Sequence, residues 1–515
     1  MKSKFYITTP IYYVNDRPHI GHAYTSVACD VLARFMRLEG REVKFLTGTD
    51  EHGQKVEKSA AAKGVPPKEF VAQGAVHFRD MAREMDISND DFIRTTEPRH
   101  LAGAQDLWRR IKDAGYIYLG SYAGWYAVRD EAFYDESELV NGKAPTGADV
   151  EWVEEPSYFF KLSAFSEKLL AFYDANPGFI MPPNRRNEVT SFVKGGLKDL
   201  SVSRTSFSWG IPVPGDEKHI MYVWIEALCS YLSATGYPEK GFEKFWPADL
   251  HMVGKDILRF HTVYWPAFLM AAGLPLPQRV FAHGWWTIEG EKMSKSLGNA
   301  VAPSDLIKNY GLDQTRYFFM REVPFGNDGN FSRERMASVI NSELANNVGN
   351  LIQRTLSMIQ KNCGGAVPDA GGVEKDALDL AFLARAQVTD NATPQEVAKR
   401  YYDCKFNEIL ADIMGIASEA NLYIDTKAPW KQKKTDEKLM QATLYHLAEA
   451  IRCIAIMLQP FIPQSAARML VMVGYPEDRA KAGIPFAELM PEYALKPGIP
   501  ITAPQPVFPK IEIGR

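Results

Sequence analysis

The opening residues of this chain alternate between strand and helix periods, and that alternation restricts the fold more than any other feature. Residues 4–11 form an apolar run of strand length, after which Asn15-Asp16-Arg17-Pro18 supplies a capping side chain and a proline suited to a first helical turn. Val27, Val31, Leu32, Phe35 and Leu38 then recur at helical spacing until Gly40. A second strand at 43–46 ends at Thr47-Gly48-Thr49-Asp50, and a second helix at 54–63 stops at Gly64. The order β-α-β-α predicts an α/β fold built on a Rossmann-like, doubly wound parallel sheet, whose ligands bind at the carboxyl ends of the strands.

With 515 residues the chain is too long for one core. Residues 1–114 read as the first half of the sheet domain. From 115 to 218 the pattern changes to short aromatic-rich strands, at 116–119 and 125–133, and reads as a connective insertion. Sheet signals return at 221–224 and 251–254, the latter leading into a helix near Asp256, so 219–284 is the second half of the split sheet. Residues 285–335 form a loop and connecting region that opens with a hairpin at 285–292, turning at Glu289-Gly290. Helical periodicity over 333–362, 374–392, 395–424 and 435–459 predicts an all-α bundle spanning 336–490. Residues 491–515 carry Pro497, Pro500, Pro504, Pro506 and Pro509 and read as an extended tail.

Composition excludes more than it selects. The 59 Lys plus Arg against 63 Asp plus Glu leave a net charge of −4, which by itself argues against a polyanionic partner, although a multi-domain chain needs only a locally positive track. Five dispersed cysteines form no C-x-x-C pair, so neither a disulfide framework nor a zinc knuckle is expected, and a reducing cytoplasm is the natural compartment. The start lacks a leader-like apolar segment, and no uncharged run reaches the ~18 residues a membrane span needs.

Two short motifs carry chemistry. His19-Ile20-Gly21-His22 stands where a strand has ended and a helix begins. Backbone N–H groups and the helix dipole favour phosphate there, Gly21 allows close approach, and the imidazoles can donate to phosphoryl oxygens. Lys292-Met293-Ser294-Lys295-Ser296 brackets small residues with two cations, a loop able to close on a departing pyrophosphate. Taken singly, each has an ordinary reading as a solvated helix start or a Lys/Ser loop. Their occurrence together in one chain is far too specific for chance.

This pair resembles the HIGH and KMSKS signature of the class I aminoacyl-tRNA synthetases, whose split sheet is followed by an anticodon-binding domain. Residues 6–15, Thr47-Gly48-Thr49-Asp50-Glu51-His52-Gly53, Tyr222-Val223-Trp224-Ile225-Glu226-Ala227 and Ala428-Pro429-Trp430 look specifically like the methionyl family. The resemblance implies ATP-dependent activation of methionine and its transfer to the 3′ end of initiator and elongator tRNA(Met). His19 and His22 would steady the α-phosphate region, Lys292 and Lys295 the pyrophosphate, with Gly21 and Ser294 beside the nucleotide and Mg²⁺ bridging its phosphates. Gly254 and Asp256 would hold the ribose; as plain sequence they are a common helix-start turn. Ile11, Tyr13, Trp224, Ala227, Tyr231, Ile257 and His261 correspond to the family's methionine pocket, aromatic and flat as a polarizable thioether prefers. Asp50 would take the ammonium; without the resemblance it is a cap, and Trp224 a core aromatic. Arg204 lies in a segment similar to one near the family's active site. Asn350, Arg354 and Trp430 correspond to anticodon-binding positions, with Lys427, Lys431, Lys433 and Lys434 adding local positive charge.

Departures also inform. Many relatives carry zinc knuckles in the insertion, but 115–218 contains no cysteine, so no structural zinc is expected. No further tRNA-binding, dimer-forming domain follows the bundle, which favours a monomer. Two competing readings are a nucleotidyltransferase sharing only H-x-G-H and a catalytically silent tRNA-binding protein. The long helical region argues against the first, the intact His and Lys pairs against the second.

Overall fold

The computed structural model describes residues 3–15, 17–130, 132–292, 300–387 and 394–512. Six strands form the main sheet: β1 (Lys4–Tyr13), β2 (Glu42–Asp50), β3 (Asp91–Arg94), β4 (Ile180–Met181), β5 (Leu250–Gly254) and β6 (Val280–His283). Their order is β3-β2-β1-β5-β6-β4, and the registers of β1 with β5, β5 with β6, β6 with β4 and β2 with β3 are all parallel. Strand order reverses between β1 and β5, which sets a crevice at their carboxyl ends. Helix α1 (Ile20–Leu38) follows β1 directly.

The chain divides into two compact units. One comprises Lys4–Cys29 and Val43–His283; the other comprises Met1–Ser3, Asp30–Glu42 and Gly284–Arg515. The sheet unit buries a large core in which Trp108, Trp265, Leu107, Phe268 and Leu228 are almost wholly enclosed. In the second unit the Arg316 guanidinium and the Asp30 carboxylate are 2.6 Å apart and both fully buried. Arg316 also donates to the carbonyls of Phe461 and Pro460, so the buried charge is fully engaged.

Several sequence expectations need correction. The strands read at 116–119 and 125–133 are instead one strand, Ile117–Ala127, followed by a short one, Ala132–Tyr134. The glycines do not interrupt it: a Cβ at Gly120 would sit 3.2 Å from the Phe159 ring of the antiparallel partner Glu151–Phe160, so the missing side chain makes room for that ring. The signal at 221–224 is not a returning strand of the main sheet. Asp216–Met221 joins a separate three-stranded sheet, and helix α2 (Val223–Ser233) begins two residues on. Nearly every residue of α2 is buried, and a buried helix and a buried strand share the same apolar run. Near Asp256 the chain forms a 3₁₀ turn, Lys255–Ile257, then a π-helical stretch, Phe260–Tyr264, before an α-helix at Trp265–Ala271. β4 falls inside 115–218, so that region returns to the main sheet before it ends.

In the second unit the 285–292 hairpin is present as Trp286–Ile288 paired antiparallel with Glu291–Lys292. Glu289 and Gly290 both take positive φ, 49° and 86°, as a tight two-residue hairpin turn requires. The 333–362 stretch is continuous but changes character: Arg333–Val339 is α, Ile340–Gly349 is π, and α3 (Asn350–Asn362) is α again. The 374–392 stretch becomes Ala377–Gln387, and 395–424 is two helices, Pro394–Tyr402 and α4 (Phe406–Lys427), separated where Cys404 adopts a positive φ of 56°. The last helix of the series is Glu437–Leu458. The Pro-rich tail is largely without regular structure, yet Ile501, Val507 and Phe508 are buried.

Candidate functional site

The site is built where β1 hands over to α1. The backbone N–H of His19 donates to Nδ1 of His22 at 3.1 Å, and that of Gly21 donates to Nδ1 of His19 at 3.1 Å. Both Nδ1 atoms therefore act as acceptors, which places the proton of each neutral ring on Nε2. Burial lowers His19 to a pKa of about 4, against an opposing pull from Asp256, and burial together with His19 drives His22 well down. At neutral pH the pair consists of uncharged N–H donors rather than imidazolium ions. Their ring centroids are 3.9 Å apart, and the Tyr12 and Phe78 rings meet His22 edge-on at 4.9 and 5.2 Å.

Gly21 leaves room for the His19 ring: a Cβ there would lie 2.9 Å from Cε1 of His19, so the ring would have to shift to admit a side chain. At the end of β5 the same holds for Gly254, whose Cβ would come within 2.5 Å of the Asp256 carboxylate. Asp256 is thus folded back over the strand end, facing His19. From β6, His283 shares a 2.7 Å hydrogen bond with Thr25 of α1.

Beside these polar groups lies an apolar, aromatic wall. Ile11, Trp224 and Ala227 pack together with Tyr222 and Val223. Trp224 stacks on Phe260 with centroids 3.6 Å apart and planes 6° from parallel. The hydroxyl of Tyr231 lies 2.7 Å from Nε2 of His261, and Nδ1 of His261 lies 2.9 Å from the carbonyl oxygen of Ile257. A carbonyl can only accept, so Nδ1 carries the proton and Tyr231 donates to Nε2. Burial lowers His261 to a pKa of about 4, so this relay is neutral. Tyr13 donates to the carbonyl of His52 at 3.2 Å, and Asp50 ends β2 with only 9% of its surface exposed. Of the sheet-unit residues expected from sequence, Ile11 and Tyr13 stand in the last residues of β1, Asp50 ends β2 and Gly254 ends β5; His19, Gly21 and His22 follow β1, Asp256, Ile257 and His261 follow β5, Trp224, Ala227 and Tyr231 lie on α2, and Arg204 lies apart from them in sequence. That side chain is held in a small sheet by Ser201 and the carbonyl of Ser203, its guanidinium 4.4 Å above the Tyr222 ring.

Sequence reasoning missed the buried carboxylate of Glu226, which accepts from His52 Nδ1 at 3.1 Å and His100 Nε2 at 3.0 Å. Burial raises its pKa, but the two histidines outweigh that and hold it below the usual carboxylate range. Glu226 and His52 stood within recognisable motifs; His100 had no local signal, and only the fold brings it to Glu226. Phe260 was equally invisible, as was His251, which is fully buried against the Tyr231 ring at 4.4 Å.

In the second unit Lys292 ends the hairpin strand, while Ser294 and Lys295 lie outside the described residues. Asn350 donates to Asn421 at 3.0 Å, Arg354 pairs with Asp425, and the Arg354 guanidinium stands 6.0 Å from the centroid of the Trp430 ring. Trp430 is 42% exposed. It is presented by a left-handed Ala428, φ 46°, which ends α4 and lets Pro429 start a short new helix. Among the described residues no group of three or more His, Cys, Asp or Glu is placed to hold a metal ion, and no helix is long and apolar enough to cross a membrane.

Comparison with known proteins gives a consistent picture. The family described as tRNA synthetases class I (M) matches residues 5–356, and the anticodon binding domain of methionyl tRNA ligase matches residues 386–514. The methionine–tRNA ligase of Rickettsia felis is 57% identical over 516 residues, covering 99% of both chains. That of Rhizobium meliloti is 54% identical over 516 residues, covering 99% of this chain and 98% of the other. Among solved structures, Mycobacterium tuberculosis methionyl-tRNA synthetase in complex with methionyl-adenylate superposes with a TM-score of 0.94 at 47% identity, covering 99% of this chain and 100% of that one.

Proposed function

The chain belongs to the methionyl family of class I tRNA synthetases, and from that premise we propose that it is a methionine–tRNA ligase whose described residues divide the work as follows. The observation that supports this best is the meeting of neutral His19 and His22 donors, the Asp256 carboxylate and the Trp224–Tyr231–His261 wall at the point where strand order reverses. Methionine lies with its thioether against Ile11, Tyr13, Trp224, Ala227, Tyr231, Ile257 and His261, and its ammonium on Asp50. ATP places its ribose at Gly254 and Asp256 and its phosphates at Gly21 and the start of α1.

The methionine carboxylate attacks the α-phosphorus, forming methionyl-adenylate as the bond to pyrophosphate breaks. The chain supplies no nucleophile; it aligns the reactants and stabilises charge. The Nε2–H groups of His19 and His22 donate to phosphoryl oxygens, and Lys292, Ser294 and Lys295 neutralise the leaving pyrophosphate. Mg²⁺ would accompany ATP as the counter-ion of its phosphates. The 2′-hydroxyl of the terminal tRNA adenosine then attacks the adenylate carbonyl, releasing AMP. Asn350, Arg354 and Trp430 read the anticodon of initiator and elongator tRNA(Met). The protein acts as a cytoplasmic monomer, without structural zinc, its domains divided as the sequence pattern indicates except that 180–181 rejoin the main sheet.

Pyrophosphate exchange into ATP, assayed with each amino acid in turn, tests the assignment. Exchange stimulated by methionine is expected, and its absence with methionine overturns the reading.

A further inference from the structure

One buried carboxylate takes no part in the chemistry described above. Glu226 is 1% exposed, and its two oxygens accept from Nδ1 of His52 at 3.1 Å and Nε2 of His100 at 3.0 Å. A carboxylate only accepts, so each ring carries a proton on the nitrogen that faces Glu226. Nδ1 of His100 is buried without a hydrogen-bond partner among the described residues, so that ring is held from the Glu226 side. Three elements meet through these two bonds: the turn after β2, the helix Pro98–Asp113 and α2.

Helix α2 divides its residues between faces. Trp224, Ala227 and Tyr231, spaced three and four apart, share the face that carries the aromatic wall, whereas Glu226 and Ser233, seven apart, share another. That second face meets the helix Pro98–Asp113 so closely that a Cβ at Gly103 would lie 2.5 Å from the Ser233 hydroxyl oxygen. The turn after β2 is tied on its other sides as well. The Glu51 carboxylate is taken up by Arg94 at 2.7 Å, Thr96 at 2.6 Å and Thr49 at 2.8 Å. Trp209 donates from Nε1 to the Glu51 carbonyl at 2.6 Å, and the N–H of Gly53 donates to the Trp209 carbonyl at 3.1 Å. His52 then links this turn to α2.

We infer that Glu226 is a positioning residue for methionine: through His52 it holds the turn that presents Asp50, and through α2 it holds the face of Trp224, Ala227 and Tyr231, so that one carboxylate sets the spacing between the seat of the ammonium and the wall for the thioether. Burying a carboxylate is costly and adds little net stability even when it is paired; what N–H donors from two different elements give it is a fixed geometry. Alignment of reactants is sensitive to displacements of about 1 Å, so a group that touches neither substrate can still control the activation step. The inference deepens the ligase reading above and rests on it.

The test compares the full-length parent with Glu226→Gln, His52→Ala and His52→Asn in methionine-dependent pyrophosphate exchange, with the desamino analogue of methionine as a competing inhibitor and thermal melting as the check on folding. Glutamine keeps the size of the side chain but offers one acceptor oxygen to two N–H groups. Glu226→Gln and His52→Ala are expected to raise the KM for methionine about tenfold and to leave the KM for ATP within about twofold. The desamino analogue has no ammonium to seat, so its Ki should change by less than about twofold. His52→Asn places an amide N–H near the position of Nδ1–H and should bring the methionine KM back to within about threefold of the parent. Folded Glu226→Gln and His52→Ala variants with a parental methionine KM refute the inference while the ligase reading stands. Equal losses for methionine and its desamino analogue, or an asparagine variant no better than alanine, also refute it, since Glu226 would then support the core alone. If Glu226→Gln does not fold, the two His52 variants decide between these outcomes. A parent protein without methionine-dependent exchange sinks the ligase reading, and this inference with it.

Discussion

At the scale of single residues, the site works by fixing where protons sit. Two backbone N–H groups of the H-x-G-H turn hold the Nδ1 atoms of His19 and His22, leaving Nε2–H free to donate. The Ile257 carbonyl does the reverse for His261, so that its Nε2 accepts from Tyr231. Replacing Tyr231 by phenylalanine keeps the ring and removes that donor, leaving a buried acceptor unmet at a cost of about 1–3 kcal/mol. The KM for methionine in exchange assays should rise by about tenfold, while the KM for ATP stays within about twofold. Equal losses for both substrates would show that the relay supports the fold as a whole and not the methionine wall. The ring residues were picked out in the sequence by the family resemblance, whose pocket positions they match; the direction of each hydrogen bond was not legible, since it depends on carbonyls brought in from other turns.

At the scale of elements, the start of α1 is the most demanding junction. The His19 ring occupies the space that a side chain at position 21 would need, with a Cβ reaching 2.9 Å from Cε1. Gly21→Ala should therefore displace His19 and break the hydrogen bond that sets its tautomer, slowing methionine-dependent exchange by about tenfold or more, as expected when a positioned donor is lost from a phosphoryl-transfer site. Helical content by circular dichroism should be unchanged, since alanine favours helix. An alanine variant with parental exchange would mean that His19 does not act in the position described. Legibility at this scale was uneven. The hairpin turning at Glu289-Gly290 was readable because Gly290 suits a positive φ, although Glu289 adopts 49° without that advantage. The first residues of the helix at Val223–Ser233 fell within the strand signal read at 221–224, because its buried run has no exposed side to reveal a helical period.

For the whole molecule, the buried histidines make stability depend on pH in a defined sense. His19 and His261 titrate near 4 in the fold and His22 and His251 well below the ordinary 6.5, chiefly because burial disfavours the charged ring. The unfolded chain takes up these protons as pH falls through 6.5, whereas the fold does not. Their contribution is therefore complete above about pH 6.5 and is lost progressively toward pH 4. His251 and His261, 0% and 1% exposed, each contribute a slope of up to about 1.4 kcal/mol per pH unit in that window. Urea midpoints measured from pH 7.5 down to 5 should fall steadily; a flat or rising midpoint on acidification contradicts neutral buried rings. By itself the sequence determined the split α/β sheet, the helical region after it and the motif-borne residues at the strand ends, because strand and helix periods and short turn chemistry are local properties. Only the tertiary structure decided that His52 and His100 close on Glu226, that Phe260 stacks under Trp224, that 180–181 rejoins the main sheet, and that the tail lies along the Asn350 helix. Each of those pairings joins residues far apart in the chain, and their burial and hydrogen bonding exist only once the backbone has brought them together.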